Sequence, residues 1–359
     1  MGFALERSPH VLTDAERDLI VADPGFGRHF TDHMTSAAWT RDRGWHELRV
    51  GPRAPFALDP AASVLHYGQE IFEGLKAYRH ADGSIWLFRP DANARRFAAS
   101  ARRLALPPLD EQLFLDGVTA LIRADQAWVP APGGESSLYL RPFMFATSPS
   151  LLVGPPQHAT FAVIASPAGP YFSGGVTGIT LWVSTTFTRA APGGTGAAKC
   201  GGNYAAGLLA QVEAQQHGCD QVLYVDGAEH QWLEESGTMN LFLVTTDGQL
   251  ITPSLGTILE GITRDSVLAL AHQHGLEPSE RRVGLDELRT RLDDGSITEV
   301  FAAGTAAVIT PITGFRADGY DLTVADGTPG PHTLNIRQHL LDIHHGRRPD
   351  THGWMQRVS

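Results

Sequence analysis

Residues 193–204 hold the most informative motif of the chain, and they read Gly193-Gly194-Thr195-Gly196-Ala197-Ala198-Lys199-Cys200-Gly201-Gly202-Asn203-Tyr204. Small residues surround the ammonium of Lys199 on both sides, so the backbone can close around a ligand. A lysine in such a pocket can lose its proton and attack a carbonyl carbon, although composition alone fits a solvated loop lysine equally well. The motif predicts a Schiff-base enzyme, provided that the chain also supplies the groups that a carbonyl cofactor requires.

The overall composition narrows the possible classes of protein. The chain has 359 residues, 42% of them hydrophobic, and a formal net charge of -11. This length predicts two domains, and the negative charge does not favour nucleic acid or an anionic membrane as a partner. Residues 1–7 lack the apolar core of a signal peptide, and no apolar run is long enough for a transmembrane helix. The cysteines, Cys200 and Cys219, form no disulfide framework, so we expect a soluble cytoplasmic protein.

Strand and helix patterns alternate along the whole chain, which predicts a mixed α/β fold. Strands are expected at 85–88, 138–145, 160–165, 179–184, 221–225, 231–233, 240–244, 250–252 and 299–303. Helices are expected from 90 to about 104 with Asp91 as the N-cap, and at 204–216, 263–274 and 285–292. Glycine and proline residues between 166 and 178 predict a linker. We therefore expect a domain at 1–168, an interdomain loop at 169–178 and a second domain at 179–359.

Two carboxylates, Glu234 and Glu235, precede a turn of small residues and an apolar strand. A carboxylate that points into a pocket can hold a protonated pyridine nitrogen, but an exposed strand end explains the same pattern. Residues 259–265 open a helix whose backbone N–H groups can bind a phosphate. Residues 301–307 end a strand with small residues whose N–H groups can hold a carboxylate. Many ordinary helices and tight turns have these last two patterns.

Further motifs have alternative explanations when each is taken alone. Residues 65–76 mix aromatic and charged side chains, as a strand packed on the core also does. Four arginines share one predicted helix, which is typical of a solvated face with one residue turned inward: Arg95, Arg96, Arg102 and Arg103. The spacing of His344, His345 and His352 matches no standard metal site, so no metal is predicted. The lysine loop is not a phosphate-binding P-loop, because that motif needs glycine before the lysine and Ser or Thr after it.

Taken together and in this order, the motifs resemble those of the branched-chain amino-acid aminotransferases, which are fold-type IV pyridoxal-phosphate (PLP) enzymes. The resemblance runs from about residue 26 to about residue 346. It implies a smaller N-terminal α/β domain and a larger C-terminal pseudo-barrel domain that carries the PLP lysine. It also implies reversible transamination of L-leucine, L-isoleucine and L-valine with 2-oxoglutarate, and a homodimer with composite active sites.

The resemblance assigns cofactor roles residue by residue. Lys199 matches the lysine that forms the Schiff base with PLP and moves the proton. Glu235 matches the carboxylate on the pyridine nitrogen, and Tyr204 matches the phenol on the ring hydroxyl. The remaining cofactor contacts that the resemblance implies are Arg96, the backbone of Thr257 and Ile258, and the hydroxyl of Thr305 for the phosphate, with Thr238 behind the cofactor.

Substrate roles follow from the same resemblance. The α-carboxylate is expected on Tyr67 and on the backbone N–H groups of Thr305 and Ala306, and Arg141 matches the arginine that binds the distal carboxylate of glutamate. The residues expected to form the apolar pocket are Phe30, Phe72, Tyr139 and Tyr171, with Leu151 and Val153 reaching in from the partner subunit. Some relatives carry a Cys-x-x-Cys switch, which is absent from residues 306–310.

Two alternatives stay open within the same fold type, a D-amino-acid aminotransferase and an aminodeoxychorismate lyase. Activity on L-leucine but not on D-alanine would separate them from the branched-chain group. A cofactor-binding protein without catalysis is a third alternative, which the intact set of Lys199, Glu235 and Tyr204 disfavours.

Overall fold

The structure is a computed structural model, and it describes residues 2–171 and 175–359. Its α-helices are α1 (Asp14–Ala22), α2 (Ser63–Tyr67), α3 (Pro90–Arg103), α4 (Glu111–Ala124), α5 (Gly201–Ala205), α6 (Leu208–Gln216), α7 (Ile262–Leu270), α8 (Leu285–Asp293) and α9 (Pro331–His344). Its strands are β1 (Ala4–Leu5), β2 (His33–Thr40), β3 (Gly44–Pro52), β4 (Glu70–Phe72), β5 (Leu75–Arg79), β6 (Ile85–Phe88), β7 (Ser137–Ala146), β8 (His158–Ala168), β9 (Ile179–Ser184), β10 (Gln221–Val225), β11 (Leu233–Ser236), β12 (Met239–Thr245), β13 (Gln249–Thr252), β14 (Glu277–Glu280), β15 (Ile297–Gly304), β16 (Val308–Ala317), β17 (Tyr320–Thr323) and β18 (Met355–Arg357).

The chain divides into two compact units. The first comprises Met1–Tyr171, Ala198–Gly201 and Asp342–Ser359, and the second comprises Phe172–Ala197 and Gly202–Leu341. These bounds differ from the expected ones, because the lysine segment and the C-terminal segment group with the first unit and not with residues 179–359. Hydrogen bonds explain both differences. The backbone of Lys199 is hydrogen-bonded to β4 and to α3, and strand β18 pairs with β6. Residues 172–174 of the expected interdomain loop lie outside the described residues.

The first unit is built on a largely antiparallel sheet. Its strands follow the order β1-β3-β2-β8-β7-β5-β6-β18, and β4 pairs with β7. Strand β7 shows how the sheet separates a core from a functional face. Leu138, Leu140 and Met144 are fully buried, whereas Tyr139 and Arg141 between them are only half-buried, because successive side chains of a strand point to opposite faces. The buried face packs in one core with apolar residues of α3 and α4.

The second unit contains a closed barrel. Its main path is β11-β10-β9-β16-β15-β12-β13-β14, and β11 also pairs with β12. That extra pairing joins the two ends of a six-strand path, so the sheet closes on itself and leaves no open edge there. Leu181, Leu223, Leu241 and Val300 from these strands are buried in one apolar cluster. The expected C-terminal pseudo-barrel is therefore confirmed.

Several element boundaries differ from the expectations for local physical reasons. The predicted helix at 204–216 is divided into α5 and α6. Arg89 and not Asp91 is the N-cap of α3, since Pro90 takes the first helical position, where its missing N–H is not needed. Strand β11 starts later than predicted because the Asp226 carboxylate accepts backbone N–H groups of the turn up to residue 232. Burial alone would raise the pKa of Asp226, but these hydrogen bonds lower it to about 2.

Two histidines anchor the end of the chain in the first unit. His344 stacks on Tyr78 with ring centroids 4.9 Å apart and meets the ring of Phe88 edge-on at 4.3 Å. His345 is also buried and meets the edge of Tyr78. Burial lowers the pKa of both imidazoles, and the positive charges of Lys76 and Arg347 add to the effect. Among the described residues, no helix has the length and apolarity needed to cross a membrane.

The C-terminal histidines predict an acid-sensitive fold. The pKa of His345 is lowered from 6.5 to about 4, so the unfolded chain binds the extra proton first. The stability that neutral His345 provides is complete above pH 6.5 and is lost as the pH falls toward 4, by roughly 2 kcal/mol between pH 7.5 and pH 5. We expect His345→Gln to flatten the fall in melting temperature over this range. His10→Gln, at an exposed position, is the control, and equal slopes in wild type and His345→Gln would contradict the prediction.

Candidate active site

Lysine is rare in this chain, which sharply limits the possible Schiff-base sites. The sequence contains two lysines, Lys76 and Lys199. Lys76 is buried in β5, where its charge lowers the pKa of His344 and His345. Lys199 lies instead in the glycine-rich segment, with the buried residues Ala198 and Cys200 on either side. Lys76 is therefore enclosed in the sheet, whereas Lys199 is a partly exposed residue.

The backbone of Lys199 is attached to two elements of the first unit. Its N–H group donates to the Ser100 hydroxyl of α3 at 2.9 Å, and its carbonyl accepts the N–H of Phe72 in β4 at 3.0 Å. Two residues further, the N–H of Gly201 donates to the Glu70 carboxylate. The lysine Nζ lies 4.7 Å from the centroid of the Phe72 ring. These contacts hold the lysine in a defined place.

A buried ion pair lies beside the lysine. The Glu73 carboxylate accepts from Arg96 Nε at 2.7 Å and from Arg96 Nη2 at 2.9 Å, and Asn93 Nδ2 donates to it at 2.7 Å. Burial alone would raise the pKa of Glu73, but the charges of Arg96 and Lys199, together with these hydrogen bonds, hold it below its usual value. Glu73 therefore stays ionised and orients Arg96, the residue expected to bind the cofactor phosphate.

Aromatic side chains surround the predicted distal-carboxylate arginine. The Arg141 guanidinium carbon lies 4.8 Å from the Phe72 ring centroid and 5.4 Å from that of Tyr139, and its Nη2 donates to the Tyr139 hydroxyl at 3.1 Å. Phe26 meets the edge of Tyr139 at 5.0 Å. The structure thus brings together Phe72, Tyr139 and Arg141 as an apolar wall with one cationic corner.

Two further aromatic residues, Phe30 and Tyr171, are predicted for the pocket. The ring of Phe30 lies under the guanidinium of Arg53 at 5.2 Å, and Tyr171 is exposed at the limit of the described residues. The Tyr67 hydroxyl donates to the carbonyl of Leu151 at 2.5 Å. Leu151 and Val153 expose 66% and 80% of their surface, which is unusual for aliphatic residues that serve no contact.

The second unit contains a separate constellation around Glu235. This carboxylate is buried, and its Oε2 lies 2.5 Å from Arg189 Nη2. Its Oε1 accepts from Asn240 Nδ2 at 3.1 Å and from the backbone N–H of Leu259 at 3.3 Å. A buried carboxylate with such partners is held ionised in a fixed orientation. Glu234, the neighbouring residue on β11, instead accepts the hydroxyl of Thr257, and burial raises its pKa.

Close backbone approaches shape the lysine loop within the second unit. Arg189 Nη2 donates to the Thr257 carbonyl at 2.9 Å and to the Gly196 carbonyl at 3.3 Å. A Cβ on Gly196 would lie 2.0 Å from the Thr257 carbonyl oxygen, so only glycine fits there. The side-chain amide of Asn203 closes the loop through two hydrogen bonds with Thr195. The Thr195 hydroxyl donates to Asn203 Oδ1 at 2.7 Å, and Asn203 Nδ2 donates to the Thr195 carbonyl at 2.8 Å.

A pocket of about 200 Å³ opens beside Glu235. Three of the predicted cofactor residues line it, namely Tyr204, Glu235 and Thr238, together with Arg189 and Asn203. The donor set fits PLP, since an ionised carboxylate matches a protonated pyridine nitrogen and a phenol matches the ring hydroxyl. Among the described residues, no group of three or more His, Cys, Asp or Glu side chains could hold a metal ion.

The other predicted phosphate and carboxylate contacts lie in loops of the second unit. Thr257 and the buried Ile258 lie between β13 and α7, and Thr305 and Ala306 form the turn between β15 and β16. The helix start predicted within 259–265 is confirmed, with Gly261 as the N-cap of α7.

The motifs of the sequence assigned no role to Glu70, Glu73 and Arg189. Glu70 and Glu73 lie in the motif at 65–76, but no local pattern marks Arg189.

Comparisons with known proteins agree with this geometry. The family model for amino-transferase class IV matches residues 70–315. The chain is 53% identical over 363 residues to the branched-chain-amino-acid aminotransferase of Mycobacterium tuberculosis (strain CDC 1551 / Oshkosh), which covers 100% of this chain and 99% of that relative.

Solved structures give the same result. The T.th. branched-chain amino acid aminotransferase with pyridoxamine 5'-phosphate matches with a TM-score of 0.73 and 30% identity, over 90% of this chain and 99% of that one. The same enzyme complexed with N-(5'-phosphopyridoxyl)-L-glutamate has a TM-score of 0.71, again at 30% identity and with 90% and 99% coverage. From its motifs, its fold and these relatives, the chain belongs to the class IV aminotransferases, within the branched-chain amino-acid aminotransferase family.

Proposed function

We propose that this protein catalyses the reversible transamination of L-leucine, L-isoleucine and L-valine with 2-oxoglutarate, and that Lys199 is the residue that binds PLP. The protein is a PLP-dependent branched-chain amino-acid aminotransferase. The observation that carries the assignment of residues is the lysine itself. Of the two lysines in the sequence, Lys76 is buried, whereas Lys199 is a partly exposed residue whose backbone is held by the Ser100 hydroxyl.

PLP supplies an electron sink that stabilises negative charge at the substrate Cα when it is bound. The protein supplies placement and proton transfer. The Lys199 amine would act as the base that takes the proton from the substrate Cα and as the acid that delivers it to C4′, and proton transfer of this kind is typically worth about 10²–10⁴-fold. Phe72 and Ser100 hold the lysine backbone, so little entropy is lost when the amine reaches the substrate.

Glu235 would hold the pyridine nitrogen in its protonated form, because Arg189, Asn240 and the Leu259 N–H favour the ionised state of the Glu235 carboxylate. Tyr204 donates to the ring hydroxyl, and Thr238 supports the ring from behind. Arg96, which Glu73 orients, binds the phosphate with the N–H groups of Thr257 and Ile258 and the hydroxyl of Thr305.

The substrate is recognised at both ends. Tyr67 and the N–H groups of Thr305 and Ala306 bind the α-carboxylate. Phe30, Phe72, Tyr139 and Tyr171 contact the aliphatic side chain, and Arg141 binds the distal carboxylate of glutamate and 2-oxoglutarate. The T.th. relative was solved with a phosphopyridoxyl-glutamate adduct, which supports a glutamate-binding role in this family.

The assembly is a homodimer in which Leu151 and Val153 of each subunit complete the partner's substrate pocket. The exposure of three consecutive aliphatic side chains, Leu151, Leu152 and Val153, supports a protein contact there. A cytoplasmic location stays a prediction from the sequence.

Trapping tests the assignment of Lys199. We expect borohydride reduction of the PLP-loaded protein to attach the phosphopyridoxyl group to Lys199, as read by peptide mass spectrometry. Lys199→Ala should lose leucine transamination by at least the 10²–10⁴-fold scale of acid–base catalysis. Lys76→Arg is the matched control because Lys76 is the other lysine of the chain, and it should label and react like wild type. Label on Lys76, or steady-state turnover by Lys199→Ala, would sink the assignment.

A second test concerns the cationic corner. Arg141→Met keeps much of the side-chain volume and removes the charge that binds the distal carboxylate. We expect the KM for 2-oxoglutarate to rise about 10-fold or more, the scale of a lost charge-assisted hydrogen bond, while the KM for L-leucine changes little. Steady-state kinetics with each substrate varied measures both values. An unchanged KM for 2-oxoglutarate would show that Arg141 does not bind the distal carboxylate.

The dimer is tested by placing a charge on the exposed aliphatic tip. We expect Val153→Glu to weaken dimerisation about 30-fold or more, as for a central interface residue, and to raise the KM for L-leucine. Leu19→Glu is the control, because Leu19 is similarly exposed, at 78%, but lies on α1. Sedimentation analysis of both variants gives the mass. A Val153→Glu protein that stays dimeric with an unchanged KM would contradict the composite site.

A further inference from the structure

Strands β4 and β7 place a carboxylate and a guanidinium on the same face of the first unit's sheet. On β4, Glu70 and Phe72 are half-buried, whereas Ile71 between them is fully buried. The register pairs Phe72 with Phe143 and Glu70 with Phe145 of β7, and Arg141 lies two residues before Phe143, so Phe72 lies between Glu70 and Arg141 along the sheet. Because side chains alternate between the faces of a sheet, Glu70, Phe72 and Arg141 share one face.

Arg141 is only partly satisfied by its neighbours. Its Nη2 donates to the Tyr139 hydroxyl at 3.1 Å, but its buried Nε has no hydrogen-bond partner among the described residues. The rings of Phe72 and Tyr139 lie against the guanidinium, with their centroids 4.8 Å and 5.4 Å from its central carbon. A cation in such surroundings needs a nearby counter-charge, because an uncompensated charge is costly to desolvate.

Glu70 is the carboxylate that can supply this counter-charge. Burial raises the pKa of Glu70, while the hydrogen bond from the Gly201 N–H and the charge of Arg141 act against the rise. Glu73, the other acidic residue of this region, is already bound by Arg96 and Asn93. A Cβ on Gly201 would lie 2.1 Å from the Glu70 carboxylate oxygen, so glycine permits the close approach.

A branched-chain aminotransferase has to accept two unlike side chains in one place. Leucine brings an aliphatic group, which is unfavourable beside an uncompensated guanidinium, and glutamate brings a carboxylate, which needs that guanidinium. We propose that Glu70 is the internal counter-charge of Arg141 and thereby sets the balance between aliphatic and acidic substrates. This inference rests on the proposed function, in which Arg141 binds the distal carboxylate.

The preference between the two kinds of substrate depends on which carboxylate compensates the charge of Arg141. With leucine bound, Glu70 compensates the charge of Arg141 and the wall behaves as an apolar surface. With glutamate bound, the distal carboxylate of the substrate takes over the guanidinium, and Glu70 keeps its hydrogen bond to the Gly201 N–H. Glu70 is thus a positioning residue that acts through Arg141 and does not touch the reacting atoms.

Glu70→Gln tests the proposal, because it removes the charge and keeps an oxygen that accepts the Gly201 N–H. The PLP form reacts with L-leucine and with L-glutamate, so single-turnover half-saturating concentrations for both amino acids can be compared on the same protein. We expect the value for glutamate to fall and that for leucine to rise, so that their ratio shifts about fivefold or more, the scale of a partly desolvated charge pair. The maximal single-turnover rate should stay within about twofold of wild type, since Lys199 is not displaced.

Two further variants separate the possible outcomes. Glu111→Gln removes an exposed carboxylate of α4 and should leave the ratio unchanged. Glu70→Ala also loses the hydrogen bond to Gly201, so it should show the shifted ratio together with a lower maximal rate. A merely structural role for Glu70 would weaken both substrates equally and leave the ratio unchanged in Glu70→Gln, which would overturn the proposal. If Arg141→Met leaves glutamate saturation unchanged, the distal-carboxylate role itself fails, and this inference fails with it.

Discussion

Two backbone hydrogen bonds fix the lysine, and the functional parts of the first unit depend on them. The carbonyl of Lys199 accepts from Phe72, and its N–H group donates to Ser100. Backbone groups that are removed from water have to find such partners, so the segment at 198–201 follows β4 and α3 although residues on both sides of it belong to the second unit. The backbone attachment places the lysine side chain beside the ring of Phe72.

Charge compensation is the second recurring principle. Two acidic residues near the proposed chemistry form ion pairs with arginines, Glu73 with Arg96 and Glu235 with Arg189, and the charge of Arg141 acts on Glu70. Removing one partner of a buried pair typically costs about 3–5 kcal/mol, because the remaining charge stays desolvated. Such pairs add little net stability compared with apolar packing, so we interpret them as devices that keep a given group charged and oriented.

Each of the two units contains its own set of candidate residues. Within the first, a sheet face combines the lysine with aromatic rings and a cation. Within the second, a closed barrel holds an ionised carboxylate at the side of a pocket lined by a phenol. A closed sheet is a rigid support, which suits the proposed role of this carboxylate, because that role depends on the direction of the side chain.

The sequence by itself determined the type of most elements and supplied the candidate residues on which the proposed function is built. Strands at 179–184 and 221–225 were predicted with the observed bounds, because alternating apolar residues between glycine and aspartate turns encode a strand locally. The glycines around Lys199 and the carboxylate of Glu235 also belong to short motifs, so they can be recognised from the local sequence. Tertiary structure alone decided that β11 closes the barrel, that Arg189 pairs with Glu235 and that the lysine segment joins the first unit. The bonds to Ser100 and Glu70 join residues 99 and 131 positions apart, and local propensity carries no information about partners at such separations.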